Sequence, residues 1–151
     1  MPNIVKKLFT QQDLKQISDA IADAERSTSG EIRLEIRQRR ARKERRASVE
    51  QLARREFQKL GMARTKERNG VLLFLLLEDR ELQILADDGV HQKVGGEPWQ
   101  HIADAMISRF SKREFRDGLI EAVRSVGSLL AQHFPHKPDD TNELPNEVRL
   151  S

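Results

Sequence analysis

The sequence predicts an α/β fold: a three-layer sandwich whose central sheet is mixed parallel and antiparallel, with helices on both sides. Three observations carry this. The run Val71–Leu77, VLLFLLL, is wholly apolar, so a strand there must be covered on both faces and lie inside a sheet. Glu31–Arg37 alternates polar and apolar, which reads as a second, half-buried strand. Stretches of helical periodicity surround both.

The first helix begins at Thr10, an N-cap with Asp13 in the first turn, and shows Leu14, Ile17, Ile21 and Ala24 on one face. It fades near Ser27–Gly30. In the strand that follows, Ile32, Leu34 and Ile36 point to the core, and Glu31, Arg33, Glu35 and Arg37 point to solvent. A second helix carries Val49, Leu52, Ala53, Phe57 and Leu60, and Gly61 suits its stop. Asn69-Gly70 opens the apolar strand, Glu78-Asp79-Arg80 turns the chain sharply, and Glu81–Ala86 returns antiparallel. Gly95-Gly96 is a break and Pro98 fits a helical first turn. Trp99, Ile102, Met106 and Phe110 line that helix, with Trp99 read as core packing. A last helix runs from Phe115 to Phe134, ended by Pro135. The chain therefore divides into one domain, residues 1–134, and a polar, Pro-containing tail, residues 135–151.

Composition narrows the function. At 151 residues the chain suits a single domain, and it has no cysteine, which removes disulfides and thiolate metal sites. The first thirteen residues lack the apolar core of a signal peptide, and no apolar run reaches the length of a membrane span. The expected location is the cytoplasm, and the expected state is a monomer. Net charge is only +3, but it is uneven: Arg37–Arg46 is nearly all basic, and Asp139, Asp140, Glu143 and Glu147 make the tail acidic. No aromatic residue interleaves with the arginines to stack bases, so nucleic acid is not the expected partner. His91, His101, His133 and His136 read as surface residues, and there is no nucleophile elbow or P-loop.

Strand direction locates the candidate site. A helix-bearing crossover makes the first two strands parallel, and the hairpin makes the third antiparallel. Ser29-Gly30-Glu31, Asn69-Gly70 and Asp87-Asp88-Gly89 must then share one edge of the sheet, while Gln38, Arg39, Glu78 and Asp79 share the opposite edge. The first edge is rich in oxygen. Asp87, Asp88, Glu31, Gly30 and Asn69 are its candidate ligands for a hard cation, Ca²⁺ or Mg²⁺. The plainer alternative has Asp87 capping a following turn or helix and Asp88 solvated.

The residues also carry a family resemblance. Ser29-Gly30-Glu31-Ile32, Leu60-Gly61-Met62 with Thr65, and Arg68-Asn69-Gly70-Val71-Leu72 come first. The Glu78-Asp79-Arg80 turn, Asp87 with Gly89-Val90, Trp99, Phe115 with Gly118-Leu119, Phe134-Pro135 and Asn142–Glu147 follow in order. Together they resemble the TPM domain, and are nearest its soluble, single-domain bacterial members. The resemblance implies an α/β sandwich, divalent-cation binding, and the acid phosphatase activity proposed for plant members. It matches Asp87 to the family's acid after the third strand, and Gly30-Glu31 and Asn69-Gly70 to its strand-entry motifs. Two functions are open at this point. One is a cation-binding domain with metal-dependent phosphatase activity, in which Glu31 completes the shell or acts as base. The other is a non-enzymatic interaction or regulatory module that meets an acidic protein partner or membrane surface through its basic segment. Catalytic residues are not assigned by either.

Overall fold

The structure is a computed structural model, and it describes residues 4–137 and 148–151. The Asn142–Glu147 motif and the tail acids Asp139, Asp140, Glu143 and Glu147 lie outside the described residues. The elements are α1 (Ile4–Leu8), α2 (Gln11–Glu25), β1 (Glu31–Arg37), α3 (Val49–Lys59), β2 (Gly70–Leu76), β3 (Glu81–Ala86), α4 (Asp88–Val94), α5 (Glu97–Ser111), α6 (Phe115–His133) and β4 (Arg149–Leu150). Thr10 caps α2 through a capping box with Asp13, as its sequence indicates.

The sheet has the order β3-β2-β1-β4. β1 runs parallel to β2, with Glu31 opposite Gly70, and β3 runs antiparallel to β2, with Ala86 opposite Val71. All seven residues of β2 are buried, because each of its faces belongs to a separate core. Leu72, Phe74 and Leu76 pack with Leu52, Ala53, Phe57 and Met62 beneath α3. Val71, Leu73 and Leu75 join the larger core, with Ile17 and Ile21 of α2, Ile102 of α5 and Val123 of α6. The two cores define the three layers.

Two features depart from the sequence reading. β1 was expected to be half-buried, with Glu31, Arg33, Glu35 and Arg37 in solvent. Instead Glu31 is 3% exposed and Glu35 0%. The second face of β1 is closed by a charged network. Arg37 donates to Glu44 at 2.9 and 3.0 Å and to Glu56 of α3 at 2.8 Å, and its guanidinium lies 5.4 Å from the Phe74 ring centre. Burial raises the pKa of Glu35, and the Ser151 hydroxyl, donating at 2.6 Å, acts against that rise. Alternation of sequence thus marked two different environments, one apolar and one ionic, rather than core and water.

The second departure is β4. The sequence gives Arg149–Leu150 no strand signal, yet it pairs in parallel with Glu35 and Ile36. Ser151 donates to the Ile36 carbonyl at 3.0 Å and accepts from the Gln38 amide at 3.0 Å. The last residues therefore cover an edge that β1 would otherwise expose.

Phe74 joins both the apolar and ionic halves of the α3 layer. Phe74→Ala should cost roughly 3–5 kcal/mol of stability, read as a lower urea midpoint with an unchanged slope.

Candidate functional site

The strand ends meet as the topology requires. The Asn69 carbonyl accepts the Glu31 amide at 3.3 Å, and the Gly70 carbonyl accepts the Asp87 amide at 2.9 Å. Each join is local in origin. Gly30 sits where a Cβ would come 2.9 Å from a Leu130 methyl and 3.2 Å from the Asn69 carbonyl oxygen, so a larger residue would push β1 off β2. Its amide donates to the Thr28 hydroxyl at 3.0 Å, and that hydroxyl donates to the Phe134 carbonyl. Asn69, 2% exposed, ties the segments together. Its amide side chain donates at 3.3 Å to both the Ser29 hydroxyl and the Glu67 carboxylate.

Asp87 is 6% exposed and does two things. One carboxylate oxygen accepts the Asp88 amide at 2.8 Å, which caps α4. Both oxygens accept from Arg68, at 2.8 and 2.9 Å, in a bidentate pair. Asp88 is exposed, and its carboxylate stands 3.6 Å from the same guanidinium. Arg68 itself has φ of 52°, in the left-handed region that costs a residue with a Cβ.

Gly89 explains why these groups converge. A Cβ there would fall 2.2 Å from the Glu67 carbonyl oxygen and 2.6 Å from that of Arg68. The start of α4 is thus pressed against two backbone carbonyls, and among the described residues neither accepts a backbone hydrogen bond in the turns and loops. The edge holds two carboxylates, two carbonyls and one guanidinium. Sequence reasoning found Asp87 and Asp88 but missed Arg68, the Glu67 and Arg68 carbonyls, and the reason for Gly89. The signal for Arg68 was present: an arginine beside the turn that faces a strand ending in acids.

Glu31 does not join this group. Its carboxyl lies beside that of Glu25, at the end of α2, which also accepts the Ile32 amide at 2.7 Å. The pKa of Glu25 is raised to about 9, chiefly by burial; the Ile32 hydrogen bond opposes this, and the neighbouring Glu31 adds to it. Among the described residues no three His, Asp or Glu side chains come together in a way that could hold a metal. Glu67 is a separate node. The Lys137 ammonium at 2.9 Å and then the Ser29 hydroxyl at 2.8 Å hold its carboxyl below the usual range.

At the opposite edge the structure sorts the basic run into two sets. Arg40 pairs with Asp79 at 2.5 Å and Glu81 at 2.8 Å, and Arg39 approaches Glu78 at 3.8 Å. Arg42, Lys43, Arg45 and Arg46 stay exposed on a short 3-10 turn and its exit, and make no ion pair among the described residues.

A mixed sheet between helix layers, with an acid-capped third strand against an Asn-Gly strand entry, defines an α/β sandwich domain. The TPM domain profile matches residues 4–129, and the chain belongs to that family. The BA42 protein of the psychrophilic bacterium Bizionia argentinensis is 35% identical, covers 95% of each chain and superposes with a TM-score of 0.85. The N-terminal domain of a P. gingivalis protein is 23% identical, with a TM-score of 0.68 over 86% of this chain and 83% of that one. The N-terminal domain of a Corynebacterium glutamicum protein is 17% identical, with a TM-score of 0.61 over 81% and 74%. The last two share the fold. No curated protein matches the sequence. No helix among the described residues is long and apolar enough to cross a membrane.

Two outcomes test this geometry. Gly89→Ala should destabilise the protein by roughly 2 kcal/mol or more, since backbone must move to admit the methyl group; thermal melts measure it. Glu25 binds its proton more tightly in the folded chain, so its contribution is complete below pH 4.5 and is lost as pH rises toward about 9. Glu25→Gln should therefore leave stability near pH 4.5 unchanged and raise it at pH 8 by about 1.4 kcal/mol or more, read from urea titrations at the two pH values.

Proposed function

We propose that this TPM domain binds a divalent cation, Ca²⁺ or Mg²⁺, at the strand-end edge, with Asp87 and Asp88 as its carboxylates. The observation that supports this most is the Asp87–Arg68 pair. A nearly buried carboxylate is neutralised by a guanidinium whose side chain is 47% exposed. A cation can take that place by displacing Arg68 outward, so the ion and Arg68 compete for one carboxylate. The Glu67 and Arg68 carbonyls beside Gly89 are hard oxygen donors of the kind such ions take. Gly30 and Asn69 act through the backbone that sets this edge, and Glu31 through the buried pair with Glu25.

A bound cation would supply Lewis-acid polarisation of a phosphoryl oxygen and activation of water, which is the basis for a phosphatase reading. The side chains at the edge contribute binding and charge. Cation binding is therefore the function proposed, and phosphate-monoester hydrolysis is its extension. A second reading rests on Arg42, Lys43, Arg45 and Arg46. Four exposed cations on one short segment suit an acidic protein surface, and contact with one should weaken as salt rises.

The competition between ion and guanidinium gives the test. In calcium and magnesium titrations followed by NMR, amide shifts should cluster at Asn69, Asp87 and Gly89. Asp87→Asn should abolish them while the fold persists. Arg68→Gln should tighten binding by about tenfold, because the ion no longer displaces a charge. Unchanged titrations in Asp87→Asn would remove the site.

A further inference from the structure

Among the described residues β3 is a free edge of the sheet. The Asp87 amide donates to the Gly70 carbonyl directly across the ladder, so Leu85, Gln83 and Glu81 also face β2 with their backbone groups. The amides and carbonyls of Leu82, Ile84 and Ala86 therefore point away from the sheet. Among the described residues the one side-chain bond made to them is from the Gln83 amide to the Ile84 carbonyl, at 3.3 Å. Exposed edges are usually blunted by proline or charge. Within β3 there is no proline, and its one charge, Glu81, is held by Arg40.

This edge forms the floor of a groove of about 610 Å³ walled by α3 and α5. Its α5 wall presents Trp99, Ala103 and Ile107, and Ile107 is 54% exposed. The groove continues into a second cavity of about 520 Å³, which shares Arg80, Glu81, Leu82 and Ile107 with it. That cavity is lined by Leu8, Leu75, Phe110 and Phe115, and by three exposed cations, Lys7, Arg80 and Arg113. None of the three is ion-paired among the described residues. The opposite end of the groove carries the exposed Asp88.

We propose that this groove binds the extended C-terminal segment of a partner protein as a fifth strand, antiparallel to β3, with its apolar last residue in the second cavity and its terminal carboxylate among Lys7, Arg80 and Arg113. Each feature selects this occupant. The outward amides and carbonyls call for an extended backbone, as in other strand-addition sites. Leu82, Ile84 and Ala86 belong to the same core side as α5, so partner residues facing that wall are apolar at alternate positions. Cations at the start of β3 and an acid beyond its end set the antiparallel sense, with the partner's carboxylate near Arg80. The groove shares Asp88 with the proposed cation site but needs no bound ion, and chelator in the test separates the two.

The test uses the whole ¹⁵N-labelled chain with excess EDTA. The probe is a pool of hexapeptides with valine or leucine at the last and alternate positions and a free carboxylate. At about 1 mM peptide, where millimolar affinities register, the amides of Leu82, Ile84, Ala86 and Ile107 should shift, and the fluorescence of Trp99 should change. C-terminal amidation should weaken binding by about tenfold. The exposed double variant Arg80→Gln, Arg113→Gln should do the same without moving the thermal midpoint. No shift along β3 with the pool would overturn the proposal. So would equal binding of free and amidated peptides, or unchanged binding by a folded double variant.

Discussion

A strand with no polar face cannot lie on a surface, and β2 has none. All seven of its residues are buried, so the chain must supply apolar cover on two sides. α3 provides one cover and α2, α5 and α6 provide the other. That requirement fixes the three layers, places β1 and β3 on either flank of β2, and aligns their ends. The oxygen-rich edge exists because β2 starts where β1 starts and where β3 stops. Fold and site thus share one cause, the desolvation of a single apolar heptad of residues.

At that edge the dominant interaction is ionic. A carboxylate as buried as Asp87 needs compensation, and Arg68 gives it in bidentate form. The pair is asymmetric: the acid is fixed by capping α4, while the arginine projects into solvent. Such a pair keeps the edge ordered, yet leaves the partner exchangeable. Glu31 met the same demand differently. Its carboxyl lies beside that of Glu25, whose pKa is raised to about 9, chiefly by burial.

Much of this was legible from residue pattern. The apolar run, the Glu78-Asp79-Arg80 turn and the crossover gave strand directions, and directions gave the meeting of Gly30, Asn69 and Asp87 at one edge. The plainer reading of Asp87 as a cap was also right about its geometry. What periodicity could not show was the fate of charged side chains. Glu35 and Arg37 alternate like solvent-facing residues, but their partners, Glu44, Glu56, Arg149 and Ser151, lie between 7 and 116 positions away in sequence. Pairing at that separation leaves no local mark. β4 was missed for the same reason: two residues with a single tertiary ladder carry no strand signal of their own.

That short clasp has a kinetic consequence. β1 is made early, while Arg149–Leu150, which pair with Glu35 and Ile36, are made more than a hundred positions later. Contacts so distant along the chain form slowly and are paid for in loop entropy. Until they form, one flank of β1 is an open hydrogen-bonding edge, and the Glu35 carboxylate lacks the Ser151 hydroxyl. The nascent domain thus carries an open edge on a side that the finished protein closes. A carboxylate poorly tolerant of dry surroundings helps keep that edge from pairing with the wrong chain.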